Sequence, residues 1–190
     1  FIIPKKEGYN VIWNEELQGF HIYIPNGELF YAEQFFNKKI SDRSIEYFLE
    51  NDSNDWKKVD WRTLEKEELL NIKFRNINWK HDKIKLYGKQ LFLPRYSAWY
   101  ADKGKTYAYS GLILQPNQWN QGLLYIKKQI EQIINVKFNS VLMNWYRDGE
   151  DYMSWHTDAE KEFGKDSVIV SVNFGATSRF LLRRIDDNKE

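Results

Sequence analysis

The stretch Asn144-Trp-Tyr146-Arg-Asp-Gly-Glu-Asp-Tyr-Met-Ser-Trp-His156-Thr-Asp158-Ala-Glu160 decides how this chain is interpreted. An Asn-x-Tyr pair lies on a predicted strand, and a His-x-Asp pair follows twelve residues later. Residues two apart in an extended chain point to the same side, so His156 and Asp158 can share one metal ion. Two of the three ligands of a 2-His-1-carboxylate iron site have this arrangement. No histidine follows His156 in the sequence.

A basic and aromatic window covers residues 73–105. It contains nine Lys and Arg residues and only two acidic residues, a net charge of +7; since the whole chain carries +1, the remainder carries −6. Basic side chains interleaved with aromatic ones suit a polyanion whose bases can stack. The alternative is a solvated charged surface over ordinary core aromatics.

The bulk composition indicates one folded domain. The 190 residues are 42% hydrophobic, which argues against disorder, and they include no cysteine, which excludes disulfides and cysteine-based zinc sites. No apolar run reaches the ~20 residues that span a bilayer. We expect a monomeric intracellular protein, in the cytoplasm or nucleus, with no membrane partner.

The hydrophobic patterns predict an α+β fold. Two helices are expected, at 41–50 with Ser41 as N-cap and at 117–134 with Asn117 as N-cap. Short strands joined by a turn at Pro25-Asn26-Gly27 are expected before residue 40, and residues 51–60 are predicted to be a loop. Further extended segments are expected at 83–93 (broken at Gly88), 107–114, 138–146, 167–174 and 179–185.

The chain from Tyr87 to Arg184 resembles the AlkB family of iron- and 2-oxoglutarate-dependent nucleic-acid demethylases, in particular the branch acting on double-stranded DNA. The order and spacing of several blocks carry this resemblance. They are Tyr87-Gly-Lys with Leu93-Pro-Arg95, Tyr107-Ala-Tyr109-Ser110-Gly, Asn144-x-Tyr146-x-Asp-Gly, His156-x-Asp158-x-Glu160, Ser171-Val-Asn-Phe-Gly-Ala and Arg179-Phe180.

The resemblance implies oxidative demethylation of N-alkylated bases, of the 1-methyladenine or 3-methylcytosine type, in DNA or RNA. The enzyme would use Fe(II), 2-oxoglutarate and O2, and would flip the damaged base out of the stack. The implied roles are Fe(II) ligation by His156 and Asp158, 2-oxoglutarate binding by Asn144 and Tyr146, duplex wedging by Tyr87, base stacking by Tyr109, contact with the base edge by Glu160, and pocket lining or backbone contact by Arg95, Tyr107 and Ser110.

The sequence also departs from the family pattern. It has neither the second metal histidine nor the later arginine that binds 2-oxoglutarate, and we count five to six strands where a double-stranded β-helix has about eight. We therefore expect a cupin-like jelly roll with backing helices, lacking its last strands, in one part of a longer protein. Residues 28–190 would form this dioxygenase domain, and residues 1–27 an N-terminal extension of unknown role.

Three alternatives remain open at this point. The chain could be a non-catalytic member of the family that binds nucleic acid. It could instead be a related hydroxylase acting on a protein or a small molecule, or a structural cupin-like domain. The Asn-x-Tyr pair and the basic and aromatic window favour the demethylase over the last two.

Overall fold

The computed structural model describes residues 7–49, 65, 77–86, 88–105, 107–109, 112–158, 164 and 167–183. Two compact units divide the chain: one is Phe1–Arg43 with Phe174–Glu190, and the other is Ser44–Asn173. The described residues form nine strands in four separate antiparallel sheets and two helices, so the predicted α+β class is confirmed. Neither described helix has the length and apolarity needed to cross a membrane.

The first unit contains a three-stranded antiparallel sheet. Its strands are β1 (Asn10–Asn14), β2 (Gly19–Ile24) and β3 (Gly27–Tyr31), in that order. Ile24 pairs with Gly27, so the predicted turn at residues 25–27 is confirmed. Asn26 adopts a φ of 65°, a left-handed conformation that asparagine tolerates better than most residues.

Helix α1 (Lys38–Leu49) begins earlier than predicted. The Asn37 side chain accepts a hydrogen bond from the backbone N–H of Ile40 at 3.0 Å, so Asn37 is the N-cap. Ser41, the predicted cap, lies in the first turn, where its own N–H already donates to the Asn37 carbonyl. The helix buries Phe48, as its apolar periodicity indicates. The predicted loop at 51–60 lies outside the described residues.

Two hairpins follow in the second unit. Strands β4 (Lys83–Leu86) and β5 (Lys89–Phe92) pair around Gly88, which has a φ of +80°, so the predicted break at this glycine is confirmed. Strands β7 (Tyr107–Tyr109) and β8 (Leu112–Leu114) also pair with each other, so the prediction of one strand over 107–114 was wrong. The intervening Ser-Gly dipeptide is a turn signal that the apolar pattern concealed.

Strands β6 (Tyr96–Ala101) and β9 (Ser140–Trp145) form an antiparallel pair at the centre of the second unit. Strand β9 confirms the strand predicted over 138–146. Its partner β6 is almost entirely buried and was not predicted. Apolar residues from these strands and from α2 (Gln121–Ile134) supply most of the buried core.

Helix α2 begins four residues later than predicted. Asn120 is its N-cap and accepts the N–H of Leu123 at 2.9 Å. The predicted cap, Asn117, instead bonds with its backbone and side-chain N–H groups to the Trp99 carbonyl, which ties it to β6. The helix approaches α1 closely: a Cβ on Gly122 would lie 2.6 Å from the Tyr47 ring, so a larger residue there would displace that ring.

The strands predicted at 167–174 and 179–185 are wrong over the described residues 167–183, where no strand forms. Most apolar side chains there are exposed, including Ile169 at 57% and Phe180 at 75%. Period-two patterns express how well a segment fits a pleated surface, and they produce a strand only where a neighbouring strand supplies hydrogen bonds. Among the described residues, no segment pairs with 167–183.

Candidate active site

The β6–β9 ribbon positions Asn144 near its end. Ser97 pairs with Asn144 across the ribbon, and Tyr96 pairs with Trp145. Because side chains alternate along strands, Asn144 shares its face with Ser97. Tyr146 lies just beyond the end of β9, so the common face of Asn144 and Tyr146 stays a prediction. Tyr146 directly follows β9 and is 43% exposed.

The Asn144 amide is held by a buried arginine. The Arg95 Nε donates to the Asn144 Oδ1 at 3.0 Å, and Arg95 is only 4% exposed. The chain enters β6 through Pro94, whose carbonyl accepts the N–H of Tyr152 at 3.0 Å. This hydrogen bond ties the segment leading to His156 to the residue next to Arg95.

A turn and an ion pair shape the chain between β9 and His156. The Asp148 carboxylate accepts the N–H groups of Glu150 and Asp151 at 2.8 and 3.2 Å, closing a local turn. Arg147 then donates from Nε and Nη2 to both carboxylate oxygens of Asp151, each at 2.7 Å. The Arg147 backbone N–H adds a third bond at 3.0 Å. Such a bidentate charge-assisted pair has one defined geometry.

Both members of this pair have shifted pKa values. Burial alone would raise the pKa of Asp151, but the Arg147 side chain and backbone outweigh it and lower the pKa. The hydrogen bonds to Asp151 raise the pKa of Arg147. Asp151 therefore stays ionised and Arg147 protonated in the folded protein. Sequence analysis missed this pair, although its i, i+4 spacing in a predicted loop was visible.

His156 and Asp158 lie together in an irregular segment. The distance from His156 Nε2 to Asp158 Oδ1 is 3.3 Å, and the side chains are 39% and 45% exposed. His156 Nδ1 lies 2.8 Å from the Ser154 carbonyl. Since a carbonyl only accepts, Nδ1 carries a proton, which leaves Nε2 as the ring nitrogen that could bind a metal ion.

This pair fits two ligands of an Fe(II) ion. Imidazole nitrogen and carboxylate oxygen are the donors of the 2-His-1-carboxylate site, and a ligating histidine usually donates its other N–H to a carbonyl or carboxylate. The Ser154 carbonyl supplies that acceptor. Within the described part of the chain, no group of three or more His, Asp or Glu side chains could hold a metal ion. The observed arrangement is thus a two-ligand pair.

The other predicted site residues are described only in part. Tyr107 and Tyr109 belong to β7, and their side chains are not described. Tyr87, Ser110 and Glu160 lie outside the described residues. Their predicted roles stay predictions.

An aromatic stack supports the base of the β4–β5 hairpin. The His81 ring stacks between Phe92 and Tyr96, with centroids 4.4 and 4.5 Å away. His81 Nε2 also lies 2.8 Å from the Leu93 carbonyl. The stack continues from Tyr96 to Trp145 of β9 at 5.3 Å. Ring contacts of this kind stabilise a fold beyond the effect of the apolar area that they bury. They therefore hold the base of the hairpin in a defined position on the β6–β9 ribbon.

Comparison with known proteins places the chain in a family. The model of the 2OG-Fe(II) oxygenase superfamily matches residues 29–190. A Mus musculus protein named DNA oxidative demethylase ALKBH2 is 34% identical over 153 residues, which are 70% of this chain and 64% of the mouse protein. The Homo sapiens protein of the same name is 39% identical over 104 residues, 55% of this chain and 40% of the human protein.

A Bos taurus protein named alpha-ketoglutarate-dependent dioxygenase alkB homolog 3 is 41% identical over 92 residues, which are 48% of this chain and 32% of the bovine protein. The match thus spans from about a third to about two thirds of the length of these three relatives. The family match includes Asn144, Tyr146, His156 and Asp158. The chain therefore belongs to the 2OG-Fe(II) oxygenase superfamily and is an AlkB-like member of it.

Proposed function

We propose that the complete protein is an Fe(II)- and 2-oxoglutarate-dependent demethylase of N-alkylated bases in DNA or RNA. The observation that carries this proposal is the His156–Asp158 pair, with Nε2 and Oδ1 3.3 Å apart inside the segment that matches the family. Relatives named DNA oxidative demethylase support the substrate class. In this proposal the complete domain is a double-stranded β-helix, and the region outside residues 1–27 contributes to it.

Each residue of the site has a defined task in this proposal. His156 binds the metal through Nε2, since its Nδ1–H is engaged by Ser154, and Asp158 binds through Oδ1. Asn144, on β9, and Tyr146, just beyond its end, hydrogen-bond 2-oxoglutarate. Fe(II) held by these residues, with 2-oxoglutarate and O2, would supply oxidative hydroxylation of the N-methyl carbon, with succinate, CO2 and formaldehyde as products.

Recognition of the base belongs to the preceding hairpins. Tyr87 enters the duplex where the target base has left, and Tyr109 stacks on the flipped base. Tyr107, Ser110 and Glu160 complete the pocket. Chemistry on a base requires that it leave the stack, at a cost of a few kcal/mol that an inserted wedge and a stacked ring offset.

The test is formaldehyde release from a 1-methyladenine oligonucleotide by the complete protein. We expect Asp158→Ala to lower the rate by at least about 100-fold, because losing a metal ligand costs more than losing a residue that supports one. Asp42→Ala is the matched control, since Asp42 is an exposed carboxylate on α1 in an i, i+4 ion pair with Lys38. Normal turnover by Asp158→Ala would overturn the site assignment. Iron-dependent 2-oxoglutarate turnover without demethylation of any oligonucleotide would favour the protein or small-molecule hydroxylase.

A further inference from the structure

Arg95 differs from the other described basic residues of the window in being buried. Arg95 is 4% exposed, whereas Lys83, Lys85 and Lys89 on the neighbouring hairpin are exposed. A buried guanidinium requires hydrogen-bond acceptors, because desolvation of an unpaired charge is costly. One acceptor is the Asn144 Oδ1, 3.0 Å from the Arg95 Nε. A side chain held in this way is poorly placed to meet a phosphate at the surface.

The hydrogen bond from Arg95 decides which way the Asn144 amide faces. An asparagine side chain has one accepting oxygen and one donating NH2 group, whereas arginine has donors only. The atom of Asn144 that meets Arg95 must therefore be Oδ1, and the Nδ2 donors are directed elsewhere. A carboxylate has acceptors only. Asn144 can donate to a carboxylate of 2-oxoglutarate only in this orientation, since the flipped amide would present oxygen to the carboxylate.

We propose that Arg95 is a positioning residue that orients the Asn144 amide towards 2-oxoglutarate, and that it makes no contact with the nucleic-acid backbone. This inference rests on the proposed function. Two features hold the pair in place. The β6–β9 register fixes the two strands against each other, and the Tyr152 N–H bond to the Pro94 carbonyl anchors the chain next to Arg95.

The test compares two affinities of the complete protein loaded with Mn(II). Calorimetry measures the Kd of 2-oxoglutarate, and fluorescence anisotropy measures the Kd of a labelled single-stranded oligonucleotide. Arg95→Met keeps the length of the side chain and removes its donors. We expect it to weaken 2-oxoglutarate binding about 10-fold, the effect of one charge-assisted hydrogen bond, and to leave oligonucleotide binding within about twofold.

Two further variants make the test specific. Lys89→Met removes an exposed base of the same window and should show the reverse pattern, with weaker oligonucleotide binding and an unchanged Kd for 2-oxoglutarate. The double variant Arg95→Met/Asn144→Ala should bind 2-oxoglutarate no more weakly than Asn144→Ala alone, because Arg95 acts through Asn144.

Asn144→Asp covers the case in which Arg95→Met does not fold. Aspartate still accepts from Arg95 but cannot donate, so this variant should fold and bind 2-oxoglutarate at least about 10-fold more weakly. Wild-type affinity for 2-oxoglutarate in Arg95→Met or Asn144→Asp would overturn the proposal, as would weakened oligonucleotide binding by Arg95→Met. Failure of the wild-type protein to bind 2-oxoglutarate would instead overturn the proposed function.

Discussion

At the scale of single residues, the chain between β9 and the His156–Asp158 pair depends on the Arg147–Asp151 ion pair. The two side chains are 10% and 4% exposed, and three hydrogen bonds join the residues. The Arg147 guanidinium also lies 5.4 Å from the centre of the Tyr96 ring. A cation over an aromatic face is further stabilised, so this pair links the loop to β6.

Asp151→Asn should destabilise the protein strongly. The substitution keeps the shape of the side chain but leaves the Arg147 charge buried without its counterion, at a cost of about 3 kcal/mol in the free energy of unfolding. Urea denaturation of the complete protein measures this cost. Asp42→Asn, in an exposed i, i+4 pair with Lys38, should change it by no more than about 0.5 kcal/mol. Equal effects of the two substitutions would show that the Arg147–Asp151 pair does not stabilise the fold.

At the scale of elements, Glu131 joins the end of α2 to the chain entering β9. Its carboxylate accepts from the backbone N–H of Phe138 at 2.8 Å, and Lys127 and Lys137 each lie 2.9 Å from it. An acidic residue in the last turn of a helix opposes the helix dipole, so these partners are needed to offset that interaction. The Phe138 N–H, followed by the two lysines, lowers the pKa of Glu131 to about 2 from its ordinary 4.5.

The stability contributed by Glu131 should therefore disappear in acid. A carboxyl group whose pKa is lower in the folded state stabilises the protein above its unfolded pKa, and this contribution is lost as pH falls through the folded pKa. The difference in unfolding free energy between wild type and Glu131→Gln should be constant above about pH 5. It should shrink between about pH 4.5 and about pH 2.

Urea denaturation at several pH values measures this difference. Glu150→Gln, at an exposed position, reports the general effect of losing one carboxylate. If the difference in unfolding free energy between wild type and Glu131→Gln stayed constant down to pH 2.5, the pKa of Glu131 would not be lowered as stated.

At the scale of the whole molecule, charge is unevenly distributed. The window 73–105 carries a net charge of +7 in a chain of net charge +1. The described lysines of the window are all exposed: Lys80, Lys83, Lys85, Lys89, Lys103 and Lys105. With Arg95 buried, these six lysines are the described side chains of the window that can reach phosphates.

Binding to a single-stranded oligonucleotide should weaken as salt rises, because phosphate contacts release counterions. Six contacts at about 0.7 ions each limit the slope of log affinity against log salt to about −4. Fluorescence anisotropy between 50 and 200 mM salt (about a fourfold range) measures it. Lys85→Ala should reduce the slope by about 0.7, and Lys38→Ala, on α1, should leave it unchanged. A flat salt dependence would exclude the window as the nucleic-acid face.

The sequence alone predicted the elements whose cause is local. The apolar repeat of α2, the strand at 140–145 and the turns at Asn26 and Gly88 depend on side-chain period and on backbone sterics, which neighbouring residues determine. The spacing of His156 and Asp158 likewise brought their donor atoms to one place. These features require no distant partner.

Only the tertiary structure decided the features that depend on distant partners. Asn117 and Asn120 are equally good caps by type, and the bond of Asn117 to Trp99 on β6 assigned the cap to Asn120. The apolar pattern at 167–183 formed no strand, because a strand needs a hydrogen-bonded neighbour. By sequence, Arg95 belongs to the basic window, and only the fold brings it beside Asn144, 49 residues away. In each case the deciding hydrogen bond joins groups that only the folded chain brings together, whereas a sequence pattern reports only near neighbours.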